Sequence, residues 1–278
     1  MDTQTFIRLA LEEDVAAGDY STLASIPAAA RGKATLKIKE AGILAGMDLA
    51  REIFSYLEPE TEFRAFKDDG APITPGEVAF EVMAGVHTIL KAERLVLNCM
   101  QRMSGIATLT RAYADRIQKY SARILDTRKT TPLFRRFEKE AVRIGGGYNH
   151  RMGLYDMIML KDNHIDYCGG IEAAILTTSS YLRDNNLDLK IEIETRSLED
   201  VEKVLATGQV HRIMLDNFVP EQISKAVTLI SGRYETEASG GITLDNIEEY
   251  AATGVDFISV GALTHHAVSL DLSLKAAI

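Results

Sequence analysis

Between Asp126 and His164 the chain gathers Arg128, Lys129, Arg135, Arg136, Lys139, Arg143, His150, Arg151 and Lys161 into one stretch of sequence. The protein as a whole is acidic, with a net charge of −9. An acidic chain that concentrates cations beside glycine-containing turns is built for a small, multiply anionic ligand. A nucleic-acid binder would be basic overall or carry a broad basic face. For Arg135, Arg136, Lys139 and Arg143 the competing reading is a solvated charged helix. That reading fails for Arg128, Lys129 and Lys161, which stand where apolar strands end.

Three kinds of chemistry can be separated. Arg128, Lys129, His150, Arg151 and Lys161 form a candidate cation pocket; arginine's planar fork grips a carboxylate bidentately, and lysine supplies a point charge. Converging cations repel one another unless a ligand with two or more negative charges fills the space. The turns Ala238–Thr243 and Ser259–Ala262 bring Ser239, Gly240, Gly241, Val260, Gly261 and Ala262 to two late strand ends. Glycines there let backbone N–H groups approach a phosphate, and a following helix N-terminus adds its dipole. Glu194 and Asp216 are acids at neighbouring strand ends, suited to magnesium or to ribose hydroxyls. Their alternative is an ion pair with the protein's own lysines.

These residues need a scaffold that presents strand ends together. From about Arg123 onward, short apolar runs each end in a polar residue or glycine and are followed by helical sequence: RILD, MIMLKD, KIEIE, RIMLDN, YETEASGG and FISVGA. The last four recur at intervals of roughly 22 residues, the length of one strand, loop and helix. Such units without a Rossmann glycine fingerprint predict a β/α barrel, whose chemistry sits at the C-terminal strand ends. The first hundred residues mix short strands and helices. They include KATLKIK at Lys33–Lys39, a helix over Ile43–Leu57 and a long helix from Val86 to about Met103. Arg94 lies on the margin of that helix's apolar arc, between Leu90 and Leu97, where a charge must snorkel, pair or reach into a site. The domain boundary is expected near Gly105–Arg111. At 278 residues, 46% hydrophobic and 26% charged, the chain can bury a large core. It has no apolar run long enough to span a membrane and no cationic start followed by an apolar stretch, so a cytoplasmic protein is expected. Cys99 and Cys168 lack metal-ligand or disulfide spacing and are expected to be buried apolar residues.

The motifs DTRKTTP (Asp126–Pro132), GGGYNHRMGLYD (Gly145–Asp156), LKDNHI (Leu160–Ile165), EIE, LDNF, ASGGI and SVGALTH, with ERLVLN and MSGIAT upstream, together resemble the quinolinate phosphoribosyltransferase family. The resemblance covers almost the whole chain. It implies an N-terminal α/β sandwich domain over residues 1–108, with the 266–278 tail packed on it, and an open, irregular α/β barrel over 109–265. It implies conversion of quinolinate and phosphoribosyl pyrophosphate, with magnesium, to nicotinate mononucleotide, pyrophosphate and carbon dioxide in NAD synthesis. It also implies a homodimer with composite active sites, and no nucleic-acid or membrane partner. By motif, Arg94 (donated across the dimer), Thr127, Arg128, Lys129, His150, Arg151 and Lys161 would bind substrate. Lys129, Lys161, Glu194 and Asp216 would carry catalysis, the last two also holding ribose and metal. Ser239–Gly241 and Val260–Ala262 would take the phosphate. One departure stands out: Thr131-Pro132-Leu133-Phe134 replaces the family's usual TPG.

Three readings compete with this one. The nearest is a paralogue with the same scaffold and another pyridine-like base, against which the cation set Arg94, Arg128, His150, Arg151 and Lys161 argues, because a monoanionic base would not need it. Lys161 at a barrel strand end could serve a Schiff-base lyase, and the pocket could bind an anion without turning it over. His87, His211 and His266 have no motif around them and are expected on the surface or in packing, while His164 and His265 could orient loops.

Overall fold

The computed structural model describes residues 1–277. In chain order its elements are α1 (Thr3–Val15), α2 (Tyr20–Ser25), β1 (Arg31–Ile38), β2 (Gly42–Ile43), α3 (Met47–Leu57), β3 (Glu62–Ala65), β4 (Pro72–Ile73), β5 (Val78–Gly85) and α4 (Val86–Arg116). They continue as β6 (Arg123–Leu125), α5 (Arg135–Ile144), β7 (Ile158–Leu160), α6 (Asp162–Cys168), α7 (Ile171–Asp184), β8 (Ile191–Thr195), α8 (Leu198–Thr207), β9 (Arg212–Asp216) and α9 (Pro220–Ile230). The last are β10 (Glu235–Ser239), α10 (Ile247–Ala251), β11 (Phe257–Ser259), α11 (Ala262–His265) and β12 (Leu272–Ala277). The chain divides into two compact units.

The first unit comprises Met1–Arg111, Thr130–Gly146 and the segment from His266 onward. Its centre is an antiparallel sheet in the order β12-β1-β5-β3. Alternation along β1 puts Ala34, Leu36 and Ile38 into the core, as period-2 patterning requires. Helix α3 buries Ile53 and Phe54, and Phe63 stacks against Phe80 at 4.5 Å between ring centroids. Asp69 accepts the Met47 N–H at the start of α3, and burial pushes its carboxyl up to about 6.

Helix α4 does not stop at Met103. It runs through Gly105 to Arg116, because a side chain on Gly105 would collide with the carbonyl of Val268. The glycine permits close approach of two backbones rather than a break, a use of glycine that outweighs its low helix propensity. Helix α5 is only partly the solvated helix its charges suggest. Arg136 and Arg143 are exposed and Arg135 half-buried, but Glu138 and Lys139 are buried. Glu138 accepts from Arg102 Nε at 3.0 Å and from the Thr131 N–H at 3.0 Å, so its charge is answered inside the unit.

The second unit comprises Ala112–Lys129 and Gly147–His265. Its six strands are all parallel, in the order β6-β11-β10-β9-β8-β7. Neighbours in sequence are neighbours in space except that β6 lies against β11. Among the described residues β6 and β7 do not pair; an isolated parallel bridge from Leu125 to Tyr148 occupies the place of that pairing. This is the expected open, irregular α/β barrel. Because every strand runs the same way, Asp126, Lys161, Glu194, Asp216, Ser239 and Val260 all come to one edge. Cys99 is buried as expected, while Cys168 is exposed at the end of the short helix α6. A helix of about two turns buries only Ile165, and Cys168 falls on its exposed side.

Candidate active site

The cation pocket is built from the ends of β6 and β7 and the loop between Gly147 and Met157. Asp126, fully buried, holds that loop: its carboxylate accepts the His150 N–H at 2.8 Å and the Asn149 amide at 2.6 Å. Asp156 closes the other end by accepting the Met152 and Gly153 N–H groups at 2.6 and 2.9 Å. Between these two fixed points, Arg151 donates from Nη1 to the Met157 carbonyl at 3.1 Å. Burial weakens the ionisation of Arg151, and the charge of Arg128 adds to that effect. Arg128 and Arg151, 23 positions apart in sequence, are therefore brought into mutual repulsion in a half-buried setting, which is the state an anion would relieve.

His150 is oriented from the barrel interior. Its Nε2 lies 3.0 Å from Glu192 Oε2 and 3.5 Å from Glu237 Oε2. Glu237 in turn holds Arg212 Nη1 at 2.9 Å, and the Arg212 guanidinium stacks on Phe257. Burial disfavours the imidazolium, but the two glutamates outweigh it and push His150 up to about 9. The Arg151 N–H points at Nδ1 at 2.6 Å, so in the neutral ring the proton is on Nε2, the nitrogen that faces Glu192. Burial and the Glu237 charge raise Glu192 to about 7. For Glu237, burial pushes upward, yet His150 and Arg212 more than offset it and keep the carboxylate charged. His150, Glu192 and Glu237 could form a metal-binding trio. Arg212, however, already supplies the cation they need.

The acid site sits one strand step nearer the edge. Glu194 accepts from Lys161 Nζ at 2.6 Å and from the Asp162 N–H at 3.2 Å. The expected alternative for Glu194, an ion pair with a barrel lysine, is thus present together with its place beside Asp216. Burial and the charge of Glu194 raise Asp216, while hydrogen bonds from Ser239 and Asn217 oppose the rise. Two hard oxygen donors that repel each other are a pair that a hard divalent cation would relieve.

At the late strand ends, Gly240 and Gly241 both have left-handed backbones, with φ of +95° and +63°. Lys129 runs alongside Gly261, since a side chain at Gly261 would press on Lys129 Cδ. The Lys129 carbonyl accepts from Thr264 Oγ at 2.7 Å, and the Lys129 N–H donates to Thr127 Oγ at 3.0 Å. Thr127, Arg128, Lys129, His150, Arg151, Lys161, Glu194, Asp216, Ser239–Gly241 and Val260–Ala262 thus all belong to the second unit and its C-terminal strand edge. Arg94 does not: it belongs to the first unit and is exposed on α4, one turn beyond the exposed Leu90. His164 orients a loop as expected, its Nδ1 accepting the Lys161 N–H at 3.0 Å.

Asp126, Glu192, Arg212 and Glu237 did not stand out in the sequence. For Glu192 a signal was there in the alternation of β8, Ile191-Glu192-Ile193-Glu194. In a parallel barrel both sheet faces are covered, so acids alternating with isoleucines must point into the barrel.

Residues 106–275 match the description Quinolinate phosphoribosyl transferase, C-terminal domain, and residues 19–104 match the corresponding N-terminal domain. The chain belongs to the quinolinate phosphoribosyltransferase family. It is 46% identical to the chloroplastic nicotinate-nucleotide pyrophosphorylase [carboxylating] of Arabidopsis thaliana, over 99% of this chain and 82% of that protein. It is 43% identical to a probable nicotinate-nucleotide pyrophosphorylase [carboxylating] of Synechocystis sp., over 95% of this chain and 89% of that one. The crystal structure of NadC from Streptococcus pyogenes superposes with a TM-score of 0.92 at 41% identity, covering 99% of this chain and 96% of the other. A quinolinate phosphoribosyltransferase barrel accounts for the polar interior: a cation pocket, an acid pair and two glycine turns share one rim.

Proposed function

We propose that this protein transfers the phosphoribosyl group of phosphoribosyl pyrophosphate to quinolinate and releases carbon dioxide, forming nicotinate mononucleotide for NAD synthesis. The observation that carries the reading is the gathering of cations at one rim: Arg128 stands near enough to Arg151 to oppose its charge, and Lys161 follows the end of β7 on the same edge. A dicarboxylate offers one negative charge to each of the two arginines.

In this reading Thr127, Arg128, Lys129, His150, Arg151 and Lys161 hold quinolinate. Glu194 and Asp216 hold the ribose, and Ser239, Gly240, Gly241, Val260, Gly261 and Ala262 take the phosphate through backbone N–H groups. Magnesium bound to the pyrophosphate supplies positive charge to the leaving group. The pyridine nitrogen forms a bond to the ribosyl carbon as the carbon–pyrophosphate bond breaks. Positive charge developing on the ribose is stabilised by Glu194 and Asp216. The ring nitrogen is then cationic, so the electron pair of the adjacent carbon–carboxylate bond can enter the ring as carbon dioxide departs, and that carbon takes up a proton. Arg128 and Arg151 keep the other carboxylate in place. Lys161 is paired with Glu194 in the free protein and so lies within reach of both substrates.

Residues 1–108 and 109–265 serve as the two domains, and the enzyme works as a homodimer in which Arg94, exposed on α4, completes the partner's site. An exposed free thiol at Cys168 suits a reducing, cytoplasmic setting. The test is stoichiometric. With magnesium, phosphoribosyl pyrophosphate and quinolinate labelled in the carboxyl next to the ring nitrogen, one carbon dioxide should appear for each nicotinate mononucleotide. Binding without either product would support the anion-binding alternative instead. Trapping of a Lys161 adduct by borohydride with a keto substrate would support the lyase.

A further inference from the structure

Strand β9 ends at Asp216 and its neighbour β10 at Ser239, and these two residues are register partners. The chain past Asp216 does not leave at once. Asn217 donates its backbone N–H to the Ser239 carbonyl at 2.8 Å, adding one more rung to the ladder. To do so it takes a left-handed backbone, φ +58°. That conformation is costly for most side chains, and asparagine is one of the few that tolerate it. Its exposed side chain makes a contact as well: Nδ2 donates to Asp216 Oδ2 at 2.7 Å. Its Oδ1 occupies the space that a side chain on Gly240 would need. Gly240 is itself left-handed at φ +95°. The missing side chain at Gly240 is therefore the seat of the Asn217 amide. Asp216 also accepts from the Ser239 hydroxyl, so the acid is held on one side by Asn217 and on the other by the first residue of the glycine turn.

Strained backbone kept at a strand end beside reactive groups is a feature that folding alone does not reward. We propose that Asn217 is a positioning residue: it locks the Asp216 carboxylate to the Ser239–Gly241 turn, so that the hydroxyls and the phosphate of one phosphoribosyl group are met at a fixed spacing. Asn217 need not touch that group itself. The proposal rests on the functional reading above, in which Asp216 and the glycine turn hold phosphoribosyl pyrophosphate.

Two full-length variants test it, each measured with magnesium. Asn217→Gly relaxes the backbone, since glycine accepts positive φ without strain, and removes only the amide. Its melting temperature should equal or exceed that of the wild type. Its Kd for phosphoribosyl pyrophosphate should rise about tenfold or more, as expected for losing a hydrogen bond to a charged group. Its Kd for quinolinate should stay within twofold. Asn217→Asp keeps the shape and the tolerance for a left-handed backbone but turns an acceptor toward Asp216, so its loss of phosphoribosyl pyrophosphate affinity should exceed that of Asn217→Gly. A crystal structure of Asn217→Gly should find the Asp216 carboxylate rotated or the Ser239–Gly241 turn displaced. The proposal is overturned if Asn217→Gly binds phosphoribosyl pyrophosphate within twofold of wild type, if both ligands weaken equally, or if affinity falls only in step with melting temperature. Should the wild type fail to bind phosphoribosyl pyrophosphate, the functional reading fails by itself. The variant's crystal structure then still decides whether Asn217 sets the acid and the turn, an unmoved site overturning the proposal.

Discussion

At the scale of single residues, the groups at the strand ends were legible because their types are out of place at the ends of apolar strands. Arg128, Lys129, Lys161, Glu194 and Asp216 belong to that class. Lys129→Ala and Lys161→Ala should each lower kcat by on the order of a hundredfold or more, since each removes a charge aimed at the reacting groups. Both side chains are exposed, so the melting temperature should stay near that of the wild type; activity that survives while the fold weakens would mark a structural role. The buried network was legible only in part: the alternation of β8 carries a signal for Glu192, while Glu237 sits in a strand where an acid reads as solvated. It carries its own prediction. Glu192, pushed to about 7, and His150, pushed to about 9, both have folded pKa values above their ordinary ones. Each favours the folded state most when protonated, so its contribution is fully present at low pH and lost as pH rises through the folded value. The urea midpoint should therefore decline between about pH 5 and 9. In Glu192→Gln, which removes one titration and weakens the other, the decline should be shallower. An equal slope in the two proteins would mean that this network does not titrate there.

At the scale of elements, types were legible from local pattern while some ends were not. The repeat of strand, loop and helix through β8, β9, β10 and β11 was visible in spacing alone, because a parallel strand buried on both faces reads as a short apolar run. Local pattern could not reveal that α4 continues past Met103. Gly105 looks like a helix end until Val268 is known to lie against it, and that contact is between residues far apart in the chain. Gly105→Ala should accordingly destabilise the protein by about 2 kcal/mol or more through overpacking against backbone. Its first visible consequence should be loss of amide-exchange protection in β12, which follows Val268 and pairs with β1. Unchanged protection there would show that the collision is absorbed elsewhere. Helix α5 teaches the same lesson in reverse: its run of charges reads as solvated, yet Glu138 and Lys139 are both buried, and Phe137 packs against Phe6 at 4.8 Å between ring centroids.

For the whole molecule, the sequence resemblance gave the architecture and the reaction, while Arg94 lies in a different unit from the rest of the proposed site. If each active site is completed by a partner's Arg94, then inactive Arg94→Ala and inactive Lys161→Ala proteins should restore activity when mixed. Free exchange makes about half the dimers mixed, each with one intact site of two, so recovery should approach roughly a quarter of wild type. Exchange verified by mass-tagged chains, with no recovered activity, would assign Arg94 to its own subunit or to no site. The central claim is that the barrel rim recognises two carboxylates before it transfers a phosphoribosyl group. The most direct measurement is the ratio of kcat/KM for quinolinate to that for nicotinate, at the same magnesium and phosphoribosyl pyrophosphate concentrations. Leaving one of the half-buried arginines without its carboxylate should cost about 3 kcal/mol once the ligand has displaced the water around it. The ratio should then be on the order of a hundred or higher. Equal efficiency with the two substrates would contradict the account.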